Sequence, residues 1–264
     1  MYKFNYLRPT DTVTAINTYG TAGDGQYLAG GQTLIPVLKQ RLAMPSELID
    51  LAGVAELKGI SVDAATITIG ATTTHAEVAA NAEVRHLIPG LANLAGGIGD
   101  PQVRNRGTIG GSVANSDPAG DYPAAVLGLG ATIHTDRRNI ASDDFFTDLF
   151  ETALEDGELI TSITFPLVKS TAYAKFNNPA SRFAIVGVFI CKTPDGVRVA
   201  VTGAGPCVFR AKAIENTLST RFLPKALDEV TVSSDGLNAD MHASAAFRAN
   251  LIGVLARRAV AKLI

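Results

Sequence analysis

"RNRGTIGGSVANSDPAGDYP", Arg104–Pro123, is the run on which the reading of this fold turns. Its centre is too apolar for a disordered linker. Its glycines argue against a helix or an ordinary strand, because glycine costs conformational entropy in either. The expectation is an ordered loop. Within it, Thr108-Ile109-Gly110-Gly111-Ser112 offers backbone N–H groups and two hydroxyls. The flanking Arg104 and Arg106 read equally as phosphate ligands, solvated loop charges or contacts to a partner.

A second glycine pair lies far upstream, in Ala29-Gly30-Gly31-Gln32-Thr33. It separates a strand-like "QYLAGG" from a helix-like "LIPVLKQRL". Adjacent glycines clear side chains from the turn, and Thr33 is placed to cap the helix. Pro36 falls in the first turn, where its missing N–H does no harm. A helix N-terminus facing an open turn suits phosphate. Lys39 and Arg41 sit toward the other end, where they complement the dipole. Two such loops could grip the two phosphates of a dinucleotide, although either one alone reads more readily as a plain tight turn. The P-loop signature is absent, and so is G-x-G-x-x-G: runs starting at Gly23, Gly97, Gly128 and Gly203 lack the last glycine. These motifs therefore exclude a P-loop protein and a standard Rossmann domain.

Around these loops the first third alternates strand and helix. "YKFNYLRP", "QYLAGG" and "ELIDL" read as strands of a small parallel or mixed sheet, with helices between them. Thr10 or Asp11 caps the first helix. "LKGISVDAATITIGA" reads as two strands, and Thr74-His75-Ala76-Glu77 as a capping box opening one helical stretch through "VRHL". Another helix runs from about Leu87 to Gly96. "YPAAVLGLGATIHT" leads from helix to strand, and "ELITSITFP" is a strand ending at Pro166. Beyond it come three strands, "TAYAKFNN", "FAIVGVFICKT" and "VRVAVTGAG", the last two joined by the turn Pro194–Gly196. Two or three helices follow. Strands followed by helices mark a separate α+β unit, with its boundary near Pro166–Ser170.

The totals bound the function. The chain has 264 residues, 47% apolar and 18% charged, with a net charge of −2. That is enough chain for a sizeable core. No basic field points to nucleic acid or membrane. The longest apolar run, "AIVGVFIC", is too short to span a bilayer. The N-terminus lacks a secretory pattern, so the expected location is cytoplasmic. Two cysteines, Cys191 and Cys207, suit buried structural thiols and are too few for an iron–sulfur cluster. The four histidines form no ligand pair, His75 is expected at the surface, and no metal site or catalytic side chain is predicted. No nucleophile elbow supports a hydrolase.

"AGGQTLIPVLKQRLAMPSELIDL" together with "GDPQVRNRGTIGGSVANSDPAGDYPAAVLGLGA" resembles the FAD-binding subunits of molybdenum hydroxylases, the xanthine dehydrogenase and aldehyde oxidase family. "ELITSITFP" and "YAKFNNPASRFAIVGVFI" extend the similarity over essentially the whole chain. The resemblance implies an α+β chain: a two-part FAD domain of the vanillyl-alcohol-oxidase type over residues 1–166, with subdomains of about 1–55 and 56–166. A domain of three antiparallel strands and a helical bundle then spans residues 167–264.

By the same resemblance, Ala29, Gly30, Gly31, Gln32, Thr33, Leu34, Ile35 and Pro36 line the FAD pyrophosphate. Thr108, Ile109, Gly110, Gly111 and Ser112 hold it from the other side, with Asn115 and Asp117 beside them. Asp121 hydrogen-bonds the cofactor. Leu94 and Ile160 make apolar contacts, Lys175 lies near the flavin end, and Phe183 stands where relatives place a tyrosine against the ring. Gln32 replaces the family's usual histidine. FAD is expected to be non-covalent, since neither loop has a His or Cys to attach it. The implied partners are a large molybdopterin subunit and a small subunit with two [2Fe–2S] clusters, in a dimer of heterotrimers. Electrons would pass from the clusters to FAD and on to an acceptor. The alternatives are a free-standing flavin reductase or oxidase on the same fold, and a scaffold subunit with no working cofactor.

Overall fold

The structure is a computed structural model and describes all 264 residues. The expected opening rhythm is present: β1 (Asn5–Leu7), α1 (Thr12–Thr21), β2 (Gly25–Leu28), α2 (Leu34–Lys39) and β3 (Glu47–Asp50). The strands form a wholly parallel sheet in the order β1-β3-β2. Asp11 is the cap of α1, accepting from Thr14 N at 2.8 Å. Thr33 does not cap α2 through its side chain. It already has helical backbone angles, φ −101° and ψ −52°, which turn the hydroxyl away from the N–H groups that follow. Ala15, Ile49, Leu51, Val54 and Leu57 close a small core here with Leu159.

The middle of the chain folds around a five-stranded antiparallel sheet. It begins with β4 (Ile60–Val62) and β5 (Thr66–Gly70), and continues through α3 (His75–Ala80), α4 (Ala82–Leu87), α5 (Pro89–Gly96), α6 (Pro101–Arg104), α7 (Ile109–Asn115) and α8 (Tyr122–Leu129). Then follow β6 (Thr132–Thr135), β7 (Asn139–Ala141), α9 (Ser142–Phe145), the small hairpin of β8 (Phe146–Asp148) and β9 (Glu151–Thr152), and β10 (Ile160–Pro166). The sheet order is β4-β5-β10-β6-β7. The capping box at Thr74 and Glu77 forms. The helix expected to run on through Val84 is instead divided at Asn81, which ends α3 and caps α4 by accepting from Val84 N at 3.0 Å.

The glycine-rich run differs more. The centre of the expected loop is helical, as α7, with Thr108 as N-cap and Ser116 in the left-handed region (φ 44°) ending it. Tertiary packing overrides propensity here: a Cβ on Gly110 would lie 2.5 Å from the Ala71 Cβ, so only glycine lets α7 start against the end of β5.

The last unit has β11 (Thr171–Asn177), β12 (Ala184–Thr193) and β13 (Gly196–Thr202) as expected. A short β14 (Phe209–Arg210) makes the sheet four-stranded rather than three-stranded. α10 (Lys212–Thr220) and α11 (Ala245–Ala261) follow. β12 is apolar from Ala184 to Cys191 because both its faces are covered there. Phe189 and Cys191 point into the main core with α5 and α8, while Val186, Val188 and Ile190 point into a second core with α10 and α11. Successive residues alternate between the two cores, as the strand period requires. No helix is long and apolar enough to cross a membrane.

Candidate cofactor cleft

β2 runs into the first glycine loop, and the loop meets the second at a backbone contact. A Cβ on Gly30 would overlap the carbonyl oxygen of Arg106 and sit 2.7 Å from the Gly107 Cα. Gly31 has φ +72°, in the region that favours glycine. Beside this contact opens a cleft of about 640 Å³, the size class of small-molecule and cofactor sites. Its walls come from β2 and the first loop, from α7, from the turn before α3, and from Glu158–Ile160.

The two loops are not equivalent donors. The N–H groups of Ala29, Gly30, Gly31, Gln32, Thr33 and Leu34 have no hydrogen-bond acceptor within the chain. In the second loop nearly all are used. Ile109 N donates to Thr73 O at 3.1 Å, Gly110 N to Ala71 O at 2.8 Å, Gly111 N to Thr108 Oγ1 at 3.2 Å and Ser112 N to Thr108 O at 3.0 Å. The segment is stitched to the end of β5, so the backbone donors expected from it are not free. Polar side chains of Thr108, Ser112 and, one turn on, the half-buried Asn115 belong to residues on the cleft wall.

Of the predicted residues, Ala29–Leu34, Thr108, Gly110, Gly111, Ser112, Asn115, Asp117, Asp121, Ile160 and Phe183 all line this one cleft. Ile35 and Pro36 lie past its edge on α2. Leu94 and Ile109 are fully buried in the main core rather than on the cleft wall. Lys175 stands behind the wall. Its Nζ lies 3.0 Å from one Asp121 oxygen and donates to the other at 3.1 Å. It also donates to the carbonyls of Gly97 and Arg182. Tyr173 Oη donates to Asp121 at 2.5 Å. Burial pushes the Asp121 carboxyl up, and Lys175 and Tyr173 oppose that shift. Phe183 is 47% exposed at the cleft, an apolar ring left uncovered.

Arg104 is spent on structure: Nη1 donates to Ile98 O and Gly99 O at 2.9 and 3.0 Å. Arg106 is exposed. His75, expected at the surface, is 5% exposed and lines the cleft. The N1 position of α3 turns its ring inward, against Tyr122 at 5.2 Å between centroids. Sequence reasoning also missed Gln26, Tyr27, Met44 and Leu159, which line the cleft. All four carry ordinary strand or loop patterning and no separate signal. Cys191 is buried and its thiol is pushed up to about 12 by that burial, while Cys207 is half-buried.

The sequence profile described as "FAD binding domain in molybdopterin dehydrogenase" matches residues 2–168. The chain belongs to that family. Among relatives, the carbon monoxide dehydrogenase medium chain of Hydrogenophaga pseudoflava is 31% identical, over 98% of this chain and 96% of its own. The nicotine 6-hydroxylase medium subunit of Paenarthrobacter nicotinovorans is 32% identical, over 97% and 95%. The reconstituted carbon monoxide dehydrogenase of Oligotropha carboxidovorans contains a chain that superposes with a TM-score of 0.91 at 30% identity, covering 99% of this chain and 97% of its own. The fold is thus the mixed α/β fold of the medium chains. This member of the family is an FAD-binding oxidoreductase subunit of the molybdenum hydroxylase type, and a free-standing flavin reductase is not favoured.

Proposed function

We propose that the cleft between the two glycine loops holds FAD, with its diphosphate on the Ala29–Leu34 backbone. One observation carries this reading: six consecutive N–H groups without acceptors, on a turn cleared of side chains by Gly30 and Gly31. Such a row satisfies phosphate oxygens without a cationic side chain. Its backbone character also fits Gln32 at the position where the resemblance implies a histidine. On the α7 side the hydroxyl of Ser112 and the amide of Asn115 are further donors. Ile160 supplies an apolar wall, and the uncovered ring of Phe183 fits a stacking face for the flavin. Asp121, fixed by Lys175 and Tyr173, offers a carboxylate at the cleft wall.

Bound FAD supplies reversible electron storage between one-electron and two-electron partners. This chain's residues bind and orient the cofactor. Their part is to present phosphate donors, exclude water along the Leu159–Ile160 wall and cover the ring. The partners we infer are a large molybdopterin subunit and a small [2Fe–2S] subunit, in a dimer of heterotrimers whose substrate the large subunit selects. We place the FAD domain at residues 1–166, of the vanillyl-alcohol-oxidase type, and the second domain at 167–264.

The test is purification of the full chain, alone and with its complex. A flavin absorption spectrum with stoichiometric FAD is expected, released intact on denaturation because the linkage is non-covalent. A Gly31→Ala variant, strained at φ +72°, is expected to lose FAD at least tenfold more readily. Wild-type protein with neither bound flavin nor flavin uptake would remove this reading.

A further inference from the structure

We propose that His75 is a further ligand of the cleft: a neutral imidazole whose Nε2–H donates to a phosphate oxygen of the bound dinucleotide. The proposal deepens the FAD reading and rests on it.

The position of the ring carries the argument. His75 is 95% buried yet lines the cleft, and neither ring nitrogen has a hydrogen-bond partner in the chain. Nδ1 is sealed from solvent; Nε2 is not, so Nε2 is the polar atom that the cleft can reach. The edge of the ring that bears Nε2 presses on Gly107, where an added Cβ would lie 2.5 Å from the nitrogen. Gly107 in turn is the residue whose Cα packs against Gly30, at the head of the loop with the free N–H row. The imidazole therefore sits directly behind the contact of the two loops, beside the place assigned to the diphosphate. Its own backbone is locked there, since His75 N donates to Gly107 O at 2.9 Å.

The tautomer follows from cost. A buried N–H without an acceptor is rarer than a buried lone pair without a donor. Nδ1 is therefore the bare nitrogen, and the proton is on Nε2, facing the cleft. Burial, with Arg104 nearby, holds the ring neutral. A neutral donor of this kind matches an oxygen that the free N–H row already helps to neutralise. It also accounts for Gly107, since any side chain there would displace the ring.

The experiment is an FAD titration of the full chain stripped of flavin, for wild type, His75→Gln, His75→Ala and Tyr122→Phe. Titrations with ADP and riboflavin run in parallel, and thermal melts are recorded without ligand. Glutamine keeps an N–H donor at similar reach, so H75Q is expected within about threefold of wild type. H75A is expected to weaken FAD and ADP alike by about 10- to 100-fold, the worth of one hydrogen bond to a charged oxygen, and to leave riboflavin unchanged. Y122F removes a buried hydroxyl that has no partner and is expected to bind as wild type. In the ³¹P spectrum of bound FAD, one phosphorus resonance is expected to move in H75A and to return in H75Q. If H75A binds FAD and ADP as tightly as wild type, or weakens riboflavin equally, or if H75Q is as weak as H75A, the assignment is wrong. If wild type takes up no FAD, the failure is that of the FAD reading and not of His75.

Discussion

Glu158 turns its carboxylate inward beside the cleft, where Arg138 Nε and Nη2 donate at 3.0 and 2.9 Å. Thr135 Oγ1 and the N–H of Glu155 add bonds at 2.7 and 2.8 Å. These bonds, led by Arg138, hold the carboxyl down to about 2. His75 responds to acid through the opposite charge: burial first and Arg104 second lower it to about 4. Both folded-state values lie below the ordinary ones, so in both cases the unfolded chain binds the proton first. Stability is full above the unfolded value and falls with pH toward the folded one. For His75 the window is about pH 6.5 to 4, and for Glu158 about 4.5 to 2. Melting temperatures measured at unit steps of pH should therefore fall less steeply between 6 and 4 in His75→Gln, and less steeply below about 4.5 in Glu158→Gln. The second variant should also melt lower at neutral pH, since it gives up the pairing with Arg138. Slopes equal to wild type would mean that these groups titrate alike folded and unfolded.

At the level of elements, the same substitution should act with opposite sign at two glycines. Gly30 has no room: alanine there meets the Arg106 carbonyl and the Gly107 Cα, both backbone, where the loops touch. Gly20, inside α1, has nothing within 4 Å of an added Cβ. Gly20→Ala should stabilise by about 0.5–1 kcal/mol through helix propensity and a less free unfolded chain. Gly30→Ala should destabilise by about 1–3 kcal/mol, read from urea midpoints at unchanged slope, and should weaken FAD uptake. A neutral Gly30→Ala would mean that the two loops do not need their close contact. This difference between glycines marks what a sequence can carry. β2, α2 and the glycine pair after Leu28 were legible, because turn chemistry and hydrophobic period are local. So were β10 to β13, whose apolar runs are long. α7 was not, because its Gly110 is required by the approach of Ala71, far away in the chain. His75 looked like a surface residue of a capping box, and its burial depends on the approach of Gly107. β14, α9 and the β8–β9 hairpin are too short for any period to register. At the cleft, the first loop's donors followed from its glycines. That the second loop's N–H groups are spent on Ala71 and Thr73 could be learned only from the fold.

Across the whole molecule the main core does not stop at Pro166. Tyr173, Phe189, Cys191 and Ala200 of the last sheet pack with Ile88, Leu91 and Val126 of the middle unit. The tie through this joint is polar: Asp121, ahead of α8, is held by Lys175 and Tyr173 of β11, with Asp121 and the Lys175 side chain 5% and 7% exposed. A buried pair of this kind contributes little net stability over an apolar replacement, but removing one partner leaves a charge stranded. Lys175→Met also frees the carbonyls of Gly97 and Arg182 that the ammonium holds. It should lower stability by about 3–5 kcal/mol, seen as a lower urea midpoint in a single transition, because one core links the units. Asp121→Asn alone should cost less, since Tyr173 and Lys175 can still donate to its carbonyl oxygen. The double variant Asp121→Asn/Lys175→Met should be more stable than the two single losses added together, a coupling of at least about 1 kcal/mol for residues in direct contact. If the losses simply add, or if Lys175→Met leaves the midpoint unchanged, the joint is held by its apolar core, and the ion pair serves only to aim the carboxylate at the cleft.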